Sequence, residues 1–142
     1  MSTLTTPRRK PAAVRTKKLR IIYADDMDEL RHVVKIILTR DGHAIECVAS
    51  AESLLALLRA NPDACDLVIT DHHMPHMDGL ELVHRLREMN FPGRIMIFSS
   101  ELSAEVDAAY HALHVDHILS KPVYPAVIRQ AIASLFTPAP AL

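Results

Sequence analysis

The stretch from Asp66 to Gly79, DLVITDHHMPHMDG, constrains this chain more than any other. Leu67 to Thr70 is a short apolar run that ends abruptly in the carboxylate of Asp71, and Pro75 and the pair Asp78-Gly79 forbid further strand. Asp71 is therefore expected at the carboxyl end of a buried strand. In open α/β sheets ligands bind at that edge, because the loops leaving it line a crevice. A carboxylate there is a metal ligand, a nucleophile, or both.

On either side of this stretch the chain alternates between two hydrophobic periods. Leu19 to Ala24 is strand-like and ends in Asp25-Asp26; Leu30, Val33, Val34, Ile37 and Leu38 then fall on one helical face, closed by Asp41-Gly42. Ala44 to Ala49 is a second strand, and Ser50 caps a helix over residues 51–60 that turns Leu54, Leu55, Leu57 and Leu58 inward. After Gly79 a helix carries Leu82, Val83, Leu86 and Met89. Arg94 to Ser99 is a fourth strand, and Ser103 to Leu113 a helix with Val106, Ala109, Tyr110 and Leu113 as its apolar stripe. His117 to Ser120 is a fifth strand that ends in Lys121-Pro122. The last helix opens at Tyr124-Pro125 and buries Val127, Ile128, Ala131, Ile132 and Leu135. Five strands alternating with five helices predict an α/β fold with a five-stranded parallel sheet covered on both faces.

Composition sets the scale. A chain of 142 residues, 49% apolar, buries one core of ordinary size. With aromatics at 4%, that core is built from aliphatic side chains. Cys47 and Cys65 make no disulfide framework and read as small reduced hydrophobes in a cytoplasmic protein. No apolar run approaches the ~18 residues of a membrane span, and no signal peptide is evident. The net charge of −1 conceals a division: the first twenty residues hold seven basic side chains and no acid, leaving nine basic against seventeen acidic residues in the remainder. Residues 1–17, interrupted by Pro7 and Pro11, read as a basic disordered arm; residues 18–136 form the domain, and residues 137–142 a frayed tail.

The strand ends deliver their polar groups to a common edge: Asp25 and Asp26 from the first strand, Asp71 from the third, Ser99 from the fourth and Lys121 from the fifth. Three converging carboxylates repel unless a cation joins them, and an all-oxygen set without cysteine points to Mg²⁺. A metal, an ammonium and a hydroxyl aimed at one carboxylate suit a phosphoryl group. Asp71, central in this set, is the best nucleophile.

Asp25-Asp26, Asp71 with Met74-Pro75 and Met77-Asp78-Gly79, Ser99, and Lys121-Pro122 together resemble the signature of the response regulator receiver domain of two-component signalling, over about residues 18–136. The resemblance implies a flavodoxin-like, doubly wound (βα)5 sandwich in which Asp71 takes a phosphoryl group from a sensor histidine kinase or a histidine phosphotransfer protein. It implies Mg²⁺ held by Asp26, Asp71 and the backbone carbonyl of His73, with Asp25 acting partly through water. Lys121 pairs with the phosphoryl group, Ser99 swings toward it, and the peptide before Pro122 is cis. Such a domain catalyses only its own phosphorylation and dephosphorylation. It signals by protein contacts, as a stand-alone or hybrid-kinase receiver, through its fourth helix, fifth strand and fifth helix. No DNA-binding domain is expected, and self-association no stronger than a weak dimer.

Two departures from the family pattern bear on readout. The switch hydroxyl is followed by Ser100, which narrows access to the phosphoryl group, and Ile118 stands where the family commonly has Tyr or Phe. Output then travels through the fourth helix or another side chain such as Tyr110. His72, His73 and His76 form a cluster, but adjacent histidines point in different directions and rarely share one metal; His73, flanking the attacking water, is expected to tune the phosphoryl lifetime. The remaining histidines, His43 among them, read as surface or half-buried. Two rival functions remain: a docking module indifferent to phosphorylation, and a haloacid dehalogenase-type phosphatase with Asp26 as nucleophile.

Overall fold

Every residue of β3 (Leu67–Asp71) is buried, as a strand at the centre of a parallel sheet requires. The computed structural model describes residues 18–136; the basic arm and the frayed tail expected at the ends lie outside the described residues. On either side of β3 lie β1 (Arg20–Ala24) and β4 (Arg94–Ser99), with β2 (Ala44–Val48) and β5 (His117–Ser120) at the edges. All four pairings are parallel, in the order β2-β1-β3-β4-β5. The helices α1 (Asp28–Arg40), α2 (Ala51–Ala60), α3 (Gly79–Glu88), α4 (Ala104–Ala112) and α5 (Pro125–Phe136) alternate with the strands. This is the flavodoxin-like order, whose connections change direction between β1 and β3 and so open a crevice at their carboxyl ends.

Strand alternation divides the core in two. Ile22, Val68, Ile95 and Ile97 point to one face, where they meet Leu54, Leu55 and Leu58 of α2, Leu82, Val83 and Leu86 of α3, and Tyr110 of α4. Ile21, Tyr23, Leu67, Ile69, Met96 and Phe98 point to the other, against Val34, Ile37 and Leu38 of α1 and Ile128, Ala131 and Ile132 of α5. Each fully buried aliphatic side chain contributes about 1.5–3 kcal/mol, so the two layers together hold the sheet edge in place.

Ser50 caps α2 as the sequence predicts, and α3 and α4 begin at side-chain caps of the same kind. Ser50 Oγ accepts from Ser53 N–H at 3.1 Å, Asp78 Oδ1 from Glu81 N–H at 2.9 Å, and Ser103 Oγ from Val106 N–H at 3.1 Å. Three expectations need correction. Val33 and Val127 are 47% and 41% exposed, because the buried stripes centre on Val34, Ile37 and Leu38 and on Ile128, Ala131 and Ile132, and a neighbour 100° round the helix falls at the margin. His43 is buried at 6% exposure, its Nδ1 accepting from Leu19 N–H at 3.1 Å.

Candidate functional site

The alternation that builds the core also aims the site. Asp25 follows Tyr23, Asp71 follows Ile69 and Lys121 follows Leu119 at two-residue spacing, so all three side chains leave the sheet edge toward the α1/α5 face. Asp25 and Asp71 are 0% and 3% exposed, whereas Asp26 is exposed. Their three carboxylates bring ligand oxygens within 4.8 Å of one another, and among the described residues no other group of three His, Cys, Asp or Glu side chains does so. The Lys121 ammonium sits 2.9 Å from Asp71 Oδ1 and 3.5 Å from Asp25 Oδ2. The Lys121–Pro122 peptide is cis.

Each carboxylate is held differently. Asp25 Oδ1 accepts from Met27 N–H at 2.9 Å, and Oδ2 accepts from the Tyr23 hydroxyl at 2.6 Å. Burial and the adjacent Asp25 raise the Tyr23 phenol far above its usual range, so it stays a donor. Arg31 donates to the Asp25 carbonyl at 2.5 Å and also pairs with Asp28, which ties α1 to the loop carrying Asp26. Asp71 is less fully satisfied. Burial raises its carboxyl above the ordinary range; Lys121 opposes that rise, and Asp25 and Asp26 add to it. Lys121 salt-bridges Asp71 Oδ1 at 2.9 Å, whereas the buried Ser99 Oγ has no hydrogen-bond partner among the described residues. A buried hydroxyl without a partner beside three clustered carboxylates fits an oxyanion and a hard divalent cation; the all-oxygen donor set suits Mg²⁺.

The histidines separate as their positions dictate. His72 N–H donates to Phe98 O at 3.0 Å, one ladder bond beyond β3, so strand alternation persists and sends the ring away from Asp71 toward α4. There it is buried at 7% exposure, with Nδ1 2.5 Å from the Tyr110 hydroxyl. Burial lowers its basicity, which keeps the ring neutral. His73 is exposed. His76 has φ 72° in a three-residue turn closed by Met77 N–H on Pro75 O at 2.9 Å. Ile118 is half-buried in the α4-side core, paired with Ile97 across the sheet. Tyr23, Arg31 and His72 went unassigned from sequence. Two-residue spacing from Asp25 is the signal for Tyr23; no local pattern marks Arg31. Both cysteines are free, and burial pushes the Cys65 thiol up to about 11, as expected of a small core hydrophobe.

Comparison with known proteins agrees with this arrangement. The family model of the response regulator receiver domain matches residues 21–133. The Sensory/regulatory protein RpfC of Xanthomonas campestris pv. campestris is 33% identical over 125 residues, covering 85% of this chain but 17% of that protein's length. A Chemotaxis protein CheY homolog of Campylobacter jejuni is 34% identical over 119 residues, covering 80% of this chain and 89% of that protein. Among solved structures, the CheX-CheY-BeF3-Mg²⁺ complex of Borrelia burgdorferi includes a chain that superposes with a TM-score of 0.78 at 21% identity, over 84% of this chain and 90% of that one. No described helix is long and apolar enough to cross a membrane. With the sheet order, the clustered carboxylates and the matched span in agreement, this chain belongs to the response regulator receiver domain family of two-component signalling.

Proposed function

We propose that this receiver accepts a phosphoryl group on Asp71 from a phosphohistidine of a sensor kinase or histidine phosphotransfer protein. A carboxylate oxygen of Asp71 forms the new P–O bond, the P–N bond breaks, and the departing imidazole takes a proton from solvent. Lys121 supports this most directly: one ammonium bridging Asp71 at 2.9 Å and Asp25 at 3.5 Å is placed to follow negative charge as it builds beside Asp71. Asp26, Asp71 and the His73 carbonyl are the proposed Mg²⁺ ligands, with Asp25 acting partly through water. Bound there, the cation supplies charge neutralisation for the phosphoryl oxygens. Ser99, whose hydroxyl lacks a partner among the described residues, turns toward the phosphoryl group and reports it. His73 flanks the attacking water, and a changed phosphoryl lifetime in His73→Asn tests that role.

The domain works in this reading as a cytoplasmic signalling module that catalyses only its own phosphorylation and dephosphorylation. Its downstream partner is a protein that docks on α4, β5 and α5. A second reading, docking without phosphorylation, draws on Ile118 in place of the aromatic that commonly moves with the switch hydroxyl. Intact mass after incubation with acetyl phosphate and Mg²⁺ separates the possibilities. A gain of about 80 Da that needs Mg²⁺ and is lost in Asp71→Asn supports the phosphoacceptor. A folded protein that gains nothing from acetyl phosphate or a phosphohistidine donor supports docking alone. An adduct kept in Asp71→Asn and lost in Asp26→Asn would instead indicate the phosphatase chemistry.

A further inference from the structure

We infer that Tyr110 is a positioning residue for the phosphoacceptor loop, acting through His72, and that this pair couples α4 to Asp71. The inference rests on the phosphoacceptor reading and adds a route by which its state reaches α4. Tyr110 is the one fully buried residue of α4, while Val106, Ala109 and Leu113 are half-buried. Its hydroxyl lies 2.5 Å from His72 Nδ1, with the two rings edge to face and their centroids 5.5 Å apart. The same hydroxyl presses on Gly79, where a Cβ would lie 2.6 Å from it and 2.8 Å from the Asp71 carbonyl oxygen. Gly79 N–H in turn donates to His72 O at 2.9 Å. The phenol of α4 is thus lodged in the junction between the end of β3 and the start of α3, against the residue covalently next to Asp71.

Apart from Tyr110, the side-chain hydrogen bonds that tie α4 to the rest of the domain lie at its ends, and Val106 adds apolar packing in its first turn. Arg87 donates to the Leu113 and His114 carbonyls at 2.8 Å each, and residues 100–103 join its first turn to Ser99. Between those ends, Tyr110 is the deep fixed point. Ile118 shares this face of the core but carries no polar atom with which to report on the loop. Displacement of the backbone at Asp71 and His72 therefore moves the Tyr110 anchor directly. Coupling of this kind is reciprocal: a ligand on α4 alters binding at Asp71 by the factor with which a phosphoryl mimic alters that ligand's binding.

Beryllium trifluoride with Mg²⁺ serves as the phosphoryl mimic, read by amide hydrogen exchange across residues 104–112 and by titration of its affinity. Wild type should show altered α4 exchange on binding. Tyr110→Phe keeps the ring and its packing and should still bind the mimic, with affinity changed by about fivefold and the α4 response largely lost. His72→Asn places an amide oxygen near the position of Nδ1 and should retain the response, whereas His72→Leu should lose it; this contrast stands whether or not Tyr110→Phe folds. Binding with an unaltered α4 response in Tyr110→Phe, or equal responses in the two His72 variants, overturns the coupling while leaving the phosphoacceptor intact. Wild-type protein that takes neither the mimic nor a phosphoryl group from acetyl phosphate overturns the phosphoacceptor reading and the coupling with it.

Discussion

The hydroxyl of Tyr23 reaches Asp25 Oδ2 at 2.6 Å from within the α1/α5 core, so a residue of the hydrophobic layer directly braces a carboxylate of the acidic site. The ring is fully buried and packs on Phe98 with centroids 5.5 Å apart, which fixes the donor in place. Tyr23→Phe leaves that ring packing and removes only the bond. It should destabilise the domain by about 1.5–3 kcal/mol, the usual worth of a hydrogen bond to a charged group, and weaken Mg²⁺ binding several-fold. Urea unfolding and calorimetric Mg²⁺ titration check the two effects; a variant matching wild type in both would show that the contact is idle.

Clustering three carboxylates around one ammonium stores repulsion that a cation relieves. Mg²⁺ at ten times its Kd should raise the unfolding free energy by about 1.4 kcal/mol, seen as an upward shift in melting temperature of a few degrees. EDTA should reverse the shift, and Asp26→Asn should reduce it. Identical melting curves with and without the ion would count against the ligand set.

Gly79 is required for space, not for an unusual backbone angle. A methyl there would meet the Tyr110 hydroxyl, the Asp71 carbonyl oxygen and His72 Cα at 2.6, 2.8 and 3.0 Å, and two of those atoms are backbone that cannot step aside. Gly79→Ala should cost about 1–3 kcal/mol despite the better helix propensity of alanine, and should slow phosphorylation by displacing the acceptor loop. Stability equal to wild type in chemical denaturation would refute the packing argument.

His43 supplies a pH dependence remote from the site. Burial lowers its basicity below the ordinary 6.5, with Asp41 opposing, and its Nδ1 is committed as an acceptor. The unfolded chain therefore binds a proton at pH values where the folded chain does not. This contribution to stability is fully present above about pH 6.5 and is lost as pH falls from there toward the lowered folded value. His43→Asn, whose amide oxygen can take the Leu19 bond, should flatten the slope of stability between about pH 5 and 7. Parallel slopes for variant and wild type would exclude the assignment.

The sequence makes the site's outline legible because each of Asp25, Asp71, Ser99 and Lys121 terminates or follows an apolar run, and an abrupt polar residue in that position marks a strand's carboxyl end. Helix and strand bounds agree with expectation to within about a residue for the same reason. Tyr23 was hidden inside such a run, where a phenol reads as core volume and its hydroxyl gives no separate pattern. His72 resembled an arbitrary loop residue because the extra ladder bond to Phe98 depends on β4, distant in sequence. Val33 and Val127 show the limit of helical periodicity, which finds the stripe but not its edge.

The odd-and-even alternation of the strands has an evolutionary consequence. Asp25, Asp71 and Lys121 project to one side of the sheet edge, whereas His72 and Tyr110 meet on the other, where Ser99 and Ile118 also lie. A lineage can therefore alter residues on the α4 side other than Ser99 to reach a new downstream partner without replacing a carboxylate or the ammonium of the proposed site. The sheet separates the proposed chemistry from the proposed message, and Ser99 and the His72–Tyr110 contact are where the two meet.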